Sequence, residues 1–127
     1  MLTATHATTM VPVKDERRAV RFYHDVLGLK AEGRSPGGRE VVATEFDTIY
    51  LYPSDEPPRA EHTMLSFEVP DVREAVERLS ARGVTFETYD APELTTVEGV
   101  ATIGDEQCAW FKDSEGNLLC VHARVYA

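Results

Sequence analysis

The chain has 127 residues and a formal net charge of −9, with 43% hydrophobic and 28% charged residues. This length suits one domain, and no apolar run approaches the roughly 20 residues that span a bilayer. The negative charge argues against a nucleic-acid partner, and two cysteines are too few for a disulfide framework. Since residues 1–10 lack the basic and apolar regions of a signal peptide, we expect a cytoplasmic protein without a membrane partner.

One segment of the sequence occurs twice, 56 positions apart. Residues 13–32 read VKDERRAVRFYHDVLGLKAE, and residues 69–87 read VPDVREAVERLSARGVTFE. The residues at positions 13, 15, 17, 19 and 20 are identical to those 56 positions later. The second copy then lacks one residue, so Gly28 of the first copy matches Gly83 of the second. Because a solenoid needs at least three repeats, two copies predict a duplicated supersecondary unit.

Each copy predicts an amphipathic helix. Asp15 is a good N-cap, and Gly28 ends a stripe of apolar residues at helical spacing: Ala19, Phe22, Tyr23, Val26 and Leu27. In the second copy Asp71 is the N-cap, with Glu74 in a capping-box position, and Gly83 ends the helix. We therefore predict helices at about 15–27 and 71–82.

Alternating residues predict four strands around each helix. In chain order they lie near residues 6–13, 29–34, 39–46 and 48–52, then 64–69, 84–88, 107–112 and 118–123. Turns are predicted at 35–38 and 113–117, a long acidic loop at Tyr89–Glu106, and a linker at Ser54–Glu61. The predicted fold class is α+β, with eight strands in two βαβββ modules at about 1–56 and 60–127.

Three motifs carry a resemblance to a known family. VPVKDERRAVRFYHDVLGL, FEVPDVREAVERL and AWFKDSEGNLL resemble the vicinal oxygen chelate superfamily, which includes glyoxalases, extradiol dioxygenases, fosfomycin-resistance enzymes and bleomycin-binding proteins. The resemblance covers nearly the whole chain. It implies a curved mixed sheet with a cleft formed by the two modules, and a homodimer in which two chains complete each cleft. Because this fold hosts many chemistries, it predicts the fold better than the function.

The resemblance also places the metal-ligand positions of the family. They fall on Thr8, Met64 and Cys120 in this sequence, where metal-dependent members have two His and a Glu. Threonine and methionine are poor ligands for hard or borderline metals, so we expect no metal and no other cofactor. A displaced site is the alternative, because His6, His62 and His122 each lie two residues from one of these positions with the same strand parity.

Strand parity predicts which side chains face the cleft. Most of them are neutral: Thr8, Met10, Tyr50, Tyr52, Met64, Ser66, Trp110, Cys120 and His122. Tyr50 and Tyr52 lie at strand positions of the first module that are equivalent to those of Cys120 and His122 in the second. Aromatic and methionine side chains with a few hydroxyl groups are typical of a pocket for a planar or amphipathic small molecule. The net charge favours neutral or cationic ligands.

Two functional classes follow from these residues. One is a metal-free binding protein, similar to the bleomycin-resistance proteins that sequester a cationic drug. The other is an enzyme, either a metal-dependent lyase or dioxygenase with displaced ligands, or a cofactor-free isomerase or cyclase. In the cofactor-free enzyme, His122 would act as general base and Tyr52 as proton donor. A measurement of bound metal would separate the metal-dependent enzyme from the other candidates.

Overall fold

A computed structural model describes residues 1–56 and 62–125. The chain forms two compact units, Met1–Pro58 and Arg59–Ala127, each containing one copy of the repeated segment and one four-stranded mixed sheet. The predicted α+β class is confirmed. The predicted linker Ser54–Glu61 lies partly outside the described residues. Within the described residues, no helix has the length and apolar content needed to cross a membrane.

The first unit contains a four-stranded sheet and a short helical segment. Its elements are β1 Thr9–Val13, α1 Glu16–Arg21, β2 Lys30–Arg34, β3 Glu40–Ala43 and β4 Thr48–Pro53. The strand order is β1-β4-β3-β2, in which β1 runs parallel to β4 and the other pairs are antiparallel. α1 packs against β3 and β4. Val11 and Leu51, which are partners across β1 and β4, are fully buried and belong to the core of this unit.

The first helix has the predicted extent, but it is not a continuous α-helix. It begins where Asp15 Oδ1 accepts a hydrogen bond from the Arg18 N–H at 3.0 Å. After Arg21 the chain widens into a π-helical turn, Phe22–Val26, in which the Leu27 N–H donates to Phe22 O at 3.1 Å. This turn contains Tyr23, which is fully buried.

The second unit repeats this arrangement and adds a small hairpin. Its elements are β5 Leu65–Glu68, α2 Val72–Ala81, β6 Asp90–Ala91, β7 Leu94–Thr95, β8 Ala101–Ile103, β9 Glu106–Lys112 and β10 Leu118–Arg124. The strand order is β5-β10-β9-β8, with β5 parallel to β10, while β6 and β7 pair as a separate hairpin. α2 packs against β9 and β10.

The second helix confirms the predicted N-cap. Asp71 Oδ1 accepts a hydrogen bond from the Glu74 N–H at 3.1 Å, and α2 starts at the next residue after Asp71. The Glu74 carboxylate forms an ion pair with Arg78, one turn along the helix, at 2.6 Å. Because both side chains of this pair are largely exposed, it contributes little to stability.

One predicted strand of the second module is wrong. Residues 84–88 contribute only an isolated bridge, between Phe86 and Phe111, and β8 occupies the fourth position of the sheet. A tight turn at Gly104 joins β8 to β9, so this local hairpin covers β9 from Glu106 to Cys108. The predicted loop 89–106 therefore holds a hairpin and a sheet strand. The described residues form ten strands rather than eight.

A buried turn joins β9 to β10 within the predicted turn 113–117. Asp113 Oδ1 accepts hydrogen bonds from the Glu115 and Asn117 N–H groups at 2.8 Å each, and Asn117 Nδ2 donates to Asp113 Oδ2 at 2.9 Å. Gly116 adopts a φ of +90°, a conformation that glycine accommodates without steric cost. These contacts fix the register in which β10 returns along β9.

Candidate functional site

The sheet of the second unit has one apolar face and one mixed face. Strand register places these residues on the mixed face, which we call the Trp110 face: Ser66, Cys108, Trp110, Cys120 and His122. Cys120 on β10 is the partner of both Ser66 on β5 and Trp110 on β9. The intervening residues, such as Phe111 and Leu119, are fully buried on the other face. Side chains from three strands therefore meet on the Trp110 face.

A short hydrogen bond links two predicted site residues. Ser66 Oγ lies 2.6 Å from His122 Nδ1, so this contact bridges β5 and β10. It fixes the orientation of the imidazole and commits one of its ring nitrogens. Sequence spacing gave no indication of this pair, because the two residues are 56 positions apart and meet only through the parallel pairing of β5 with β10.

Two thiols adjoin this pair. Cys120 is only 4% exposed and donates its S–H to Val121 O at 3.3 Å, while the half-buried Cys108 is its diagonal neighbour on β9. Burial and the neighbouring Cys120 raise the pKa of the Cys108 thiol to about 11. Burial also raises the pKa of Cys120, against the opposing effect of a hydrogen bond from Ser66. Both thiols are therefore protonated at neutral pH, and neither is an activated nucleophile.

Two aromatic rings form a right-angled corner at the Trp110 face. The centroids of Tyr89 and Trp110 lie 5.5 Å apart with an interplanar angle of 88°. Trp110 Nε1 donates to Thr63 Oγ1 at 3.1 Å, and the Tyr89 N–H donates to Thr96 Oγ1 at 3.0 Å. The Trp110 indole is therefore held by its own hydrogen bond, and Tyr89 is held through its backbone.

A carboxylate adjoins this aromatic corner. The Glu87 N–H donates to Trp110 O at 2.8 Å, which places Glu87 directly beside β9. Burial raises the pKa of the Tyr89 hydroxyl, and the negative charge of Glu87 raises it further. The backbone hydrogen bond of Glu87 therefore places an acidic residue beside the two perpendicular rings.

The first unit holds the other predicted residues. Met10 pairs with Tyr50, and Pro12 pairs with Tyr52, along the parallel strands β1 and β4. Met10 is 43% exposed, and both tyrosines are half-buried. In the second unit, Ser66 on β5 pairs with Cys120 on β10, and Glu68 pairs with His122, in the same parallel arrangement. The predicted equivalence of the two tyrosines with Cys120 and His122 agrees with these pairings. Thr8 lies immediately before β1 and is exposed.

Seven of the nine predicted residues thus fall into two groups. Met10, Tyr50 and Tyr52 share a face of the first sheet, whereas the second unit brings together Ser66, Trp110, Cys120 and His122. Met64, which is 38% exposed, lies one residue before β5. That both groups line one cleft stays a prediction.

Sequence reasoning missed several residues at this face. Cys108 shares the strand parity of Trp110, so the alternation along residues 107–112 contained the signal for it. Tyr89 and Thr63 lie outside the strands of the sheet, and no periodicity marked them. The sequence pattern predicts a strand at Glu87 and assigns this residue no role. Their contacts with Trp110 depend on tertiary structure.

The ligand positions of the family do not suit a divalent metal here. Thr8 is exposed and precedes β1, Met64 offers a thioether, and Cys120 is a buried, hydrogen-bonded thiol. Among residues 1–56 and 62–125, no three His, Cys, Asp or Glu side chains come together as potential ligands. The displaced site of His6, His62 and His122 stays a prediction.

An open pocket of about 560 Å³ lies elsewhere, in the first unit at the start of α1. Its walls are charged residues of both signs: Lys14, Asp15, Glu16, Arg17, Arg18 and Arg34. Arg34 is already engaged, since it donates to Gly38 O at 2.8 Å and pairs with Glu40 at 3.2 Å. None of the predicted site residues lines this pocket, so we place the candidate site at the Trp110 face.

The family model of the glyoxalase/bleomycin resistance protein/dioxygenase superfamily matches residues 5–121, and the chain belongs to this superfamily. The resemblance seen in the sequence motifs is thereby confirmed. No curated protein sequence matches the chain significantly.

Solved structures share the fold over nearly the whole chain. TnmS3, an antibiotic binding protein from Streptomyces sp. CB03234, has a TM-score of 0.70 and 22% identity, covering 98% of this chain and 99% of its own. UcmS2 has a TM-score of 0.75 and 20% identity, and the match covers 95% of this chain and 98% of UcmS2. A glyoxalase/bleomycin resistance protein from the same Streptomyces strain has a TM-score of 0.67 and 24% identity, with 92% and 98% covered. At these identities the likeness shows the fold alone.

Proposed function

We propose that this chain is a small-molecule-binding protein whose Trp110 face binds an aromatic or amphipathic compound without a metal. The observation that carries the proposal is the right-angled corner of Trp110 and Tyr89, with centroids 5.5 Å apart, on the sheet face that also holds the Ser66–His122 pair. Aromatic side chains have few rotatable bonds, so they provide a large contact area at low entropic cost.

The polar groups of this face would orient the ligand. Trp110 Nε1 is committed to Thr63, so the indole offers its ring surface rather than its N–H group. Ser66 and His122 lie on the strands beyond Trp110 and supply a hydroxyl and an imidazole for hydrogen bonding. An apolar surface with a few convergent polar groups is the usual composition of a small-molecule site.

Charge favours a cationic or neutral ligand. The second unit, Arg59–Ala127, contains 13 of the 22 acidic residues but only 6 of the 13 basic residues. Glu87 adds a local negative charge next to Tyr89. A cation over an aromatic face is stabilised by the ring quadrupole, by about 0.5–2 kcal/mol depending on desolvation. The description of TnmS3 as an antibiotic binding protein supports sequestration of an organic compound as the role.

The test is a titration of the intrinsic fluorescence of Trp110, the single tryptophan of the chain. The panel pairs each aromatic cation with a neutral and an anionic analogue of the same ring system. We expect the cations to bind most tightly, and we expect binding to survive exhaustive treatment with a metal chelator. Glu87→Gln should reduce the preference for cations and leave the affinity for neutral ligands unchanged. Preferential binding of the anions, or loss of binding with the chelator, would contradict the proposal.

The Ser66–His122 hydrogen bond favours a second candidate, a cofactor-free enzyme. It holds the imidazole in one orientation, as a general base requires. Incubation of the best ligand with the protein, followed by mass spectrometry, separates the two candidates. Recovery of unchanged ligand supports binding, whereas conversion that disappears in His122→Gln supports catalysis.

We also propose that the protein is a homodimer. Each four-stranded sheet has two edge strands, β1 and β2 in the first unit and β5 and β8 in the second, which pairing of two chains would help to cover. Light scattering at micromolar concentration should give twice the 14.2 kDa mass of the chain. The mass of a single chain under these conditions would contradict the proposal.

A further inference from the structure

We propose that the open pocket at the start of α1 binds a phosphomonoester of a polyhydroxylated compound, such as a sugar phosphate. The pocket has a volume of about 560 Å³, within the range of about 300–1,000 Å³ that is usual for small-molecule sites. It lies wholly in the first unit, and none of its lining residues belongs to the Trp110 face. Binding here is therefore independent of the organic ligand proposed for that face.

The lining of this pocket is positively charged, although the chain as a whole carries a net charge of −9. Four basic and two acidic side chains give the lining a net charge of +2: Lys14, Arg17, Arg18 and Arg34 against Asp15 and Glu16. A phosphomonoester carries about −1.5 to −2 at neutral pH, which matches this charge. Because α1 has only six residues, the positive charge comes from these side chains and not from a helix dipole. The pocket therefore favours a dianion over a cation or a neutral compound.

Contacts within the first unit hold one guanidinium in place before a ligand binds. Arg34 Nη1 donates to Gly38 O at 2.8 Å, and Arg34 Nη2 pairs with Glu40 Oε1 at 3.2 Å. A guanidinium has five N–H donors, so these two contacts leave capacity for phosphate oxygens. Arginine binds phosphate through two parallel N–H groups, whereas the ammonium of Lys14 acts as a point charge. A guanidinium that is already held in place loses less entropy on binding than a mobile one.

Glu16 supplies the reason for hydroxyl groups on the ligand. Its Oε2 atom is shielded from solvent, and among residues 1–56 and 62–125 it has no hydrogen-bond partner. Arg34 Nη1 lies 4.0 Å away, close enough for charge attraction but too far for a hydrogen bond. The terminal torsion of a glutamate is broad, so a rotation of the carboxylate would turn this oxygen towards the pocket. Because a carboxylate only accepts hydrogen bonds, the hydroxyl groups of a sugar phosphate would donate to it.

The test is a calorimetric titration of the full-length chain with glucose 6-phosphate, inorganic phosphate and glucose, in about 0.1 M salt, where distant charges are largely screened. We expect one site per chain for glucose 6-phosphate, weaker binding of inorganic phosphate and no binding of glucose. Arg17→Gln should raise the Kd of both phosphates by about 10-fold, because a hydrogen bond to a charged group is lost.

Arg21→Gln is the matched control, since it removes the same charge from the same helix outside the pocket lining. We expect it to leave both affinities unchanged. Equal affinities of Arg17→Gln and the unmodified chain would overturn the site, as would the absence of binding by glucose 6-phosphate.

A second variant tests the contact of Glu16 with the hydroxyl groups. Glu16→Ala removes the acceptor together with one negative charge, so inorganic phosphate should bind at least as tightly as before. Glucose 6-phosphate should then lose its advantage over inorganic phosphate. Glu45→Ala, which removes an exposed acidic side chain elsewhere in the first unit, should retain that advantage. A retained advantage in Glu16→Ala would overturn the hydroxyl contact, and with it the choice of a sugar phosphate.

Discussion

Replacing Asp113 with Ala should lower the free energy of unfolding by about 3 kcal/mol and the Tm by roughly 10 °C. The Asp113 carboxylate accepts hydrogen bonds from two backbone N–H groups and from the Asn117 side chain, and Asp113 is only 6% exposed. Alanine would leave these donors without the acceptor they now have, in a buried turn that water reaches poorly. Urea denaturation followed by circular dichroism measures the difference.

An exposed turn in the first unit offers a matched control. Asp47 accepts from the Thr44 hydroxyl at 3.5 Å and lies at the surface, so Asp47→Ala should change the stability by less than about 1 kcal/mol. Asp113→Asn keeps a side-chain oxygen for the backbone donors, so its loss of stability should lie between the losses of Asp113→Ala and Asp47→Ala. A loss below about 1 kcal/mol for Asp113→Ala would show that solvent replaces the lost acceptor.

Replacing Trp110 with Ala should weaken binding of the best ligand by about 2 kcal/mol, which corresponds to roughly a 30-fold higher Kd. Trp110 provides one wall of the aromatic corner, and its loss would also remove the ring against which Tyr89 packs. Because the variant lacks the fluorescent reporter, isothermal titration calorimetry is the appropriate measurement.

Two further variants make this result specific to the corner. Phe46→Ala removes an aromatic side chain that is 87% exposed in the first unit, and we expect it to leave the affinity unchanged. Tyr89→Phe retains the ring and should bind nearly as well as the unmodified chain, whereas Tyr89→Ala should weaken binding. Unchanged affinity in a correctly folded Trp110→Ala would place the ligand elsewhere.

The repeat predicted most of what positions the candidate site. Asp15 and Asp71 are the helix N-caps that the sequence indicated, because a side-chain oxygen at that position accepts from the first turn. The matching order of strands in the two modules also predicted that Tyr50 and Tyr52 correspond to Cys120 and His122, and equivalent strand pairings agree with this. Strand parity is a strong signal, since a shift of one residue would exchange the two faces of a sheet.

Tertiary contacts account for what the sequence did not predict. Residues 84–88 have a strand-like pattern, yet beside β9 they make only the Phe86–Phe111 bridge and the hydrogen bond from the Glu87 N–H to Trp110 O, whereas β8 forms a regular ladder with residues 106–108 of the same edge. The spacing of Phe22, Tyr23 and Val26 fits an ordinary helix and does not indicate a π-helical turn. The contact of Tyr89 with Trp110 requires Tyr89 and Thr96 to be joined across the hairpin, which no local pattern encodes.

The position of β10 in its sheet has a consequence for synthesis on the ribosome. β10 lies between β5 and β9, although it follows both of them in sequence. The sheet of the first unit can form as soon as β4 has emerged, whereas neither ladder of β10 can form until that strand is available. Until then β5 and β9 expose backbone groups and apolar side chains, which makes a nascent chain prone to aggregation.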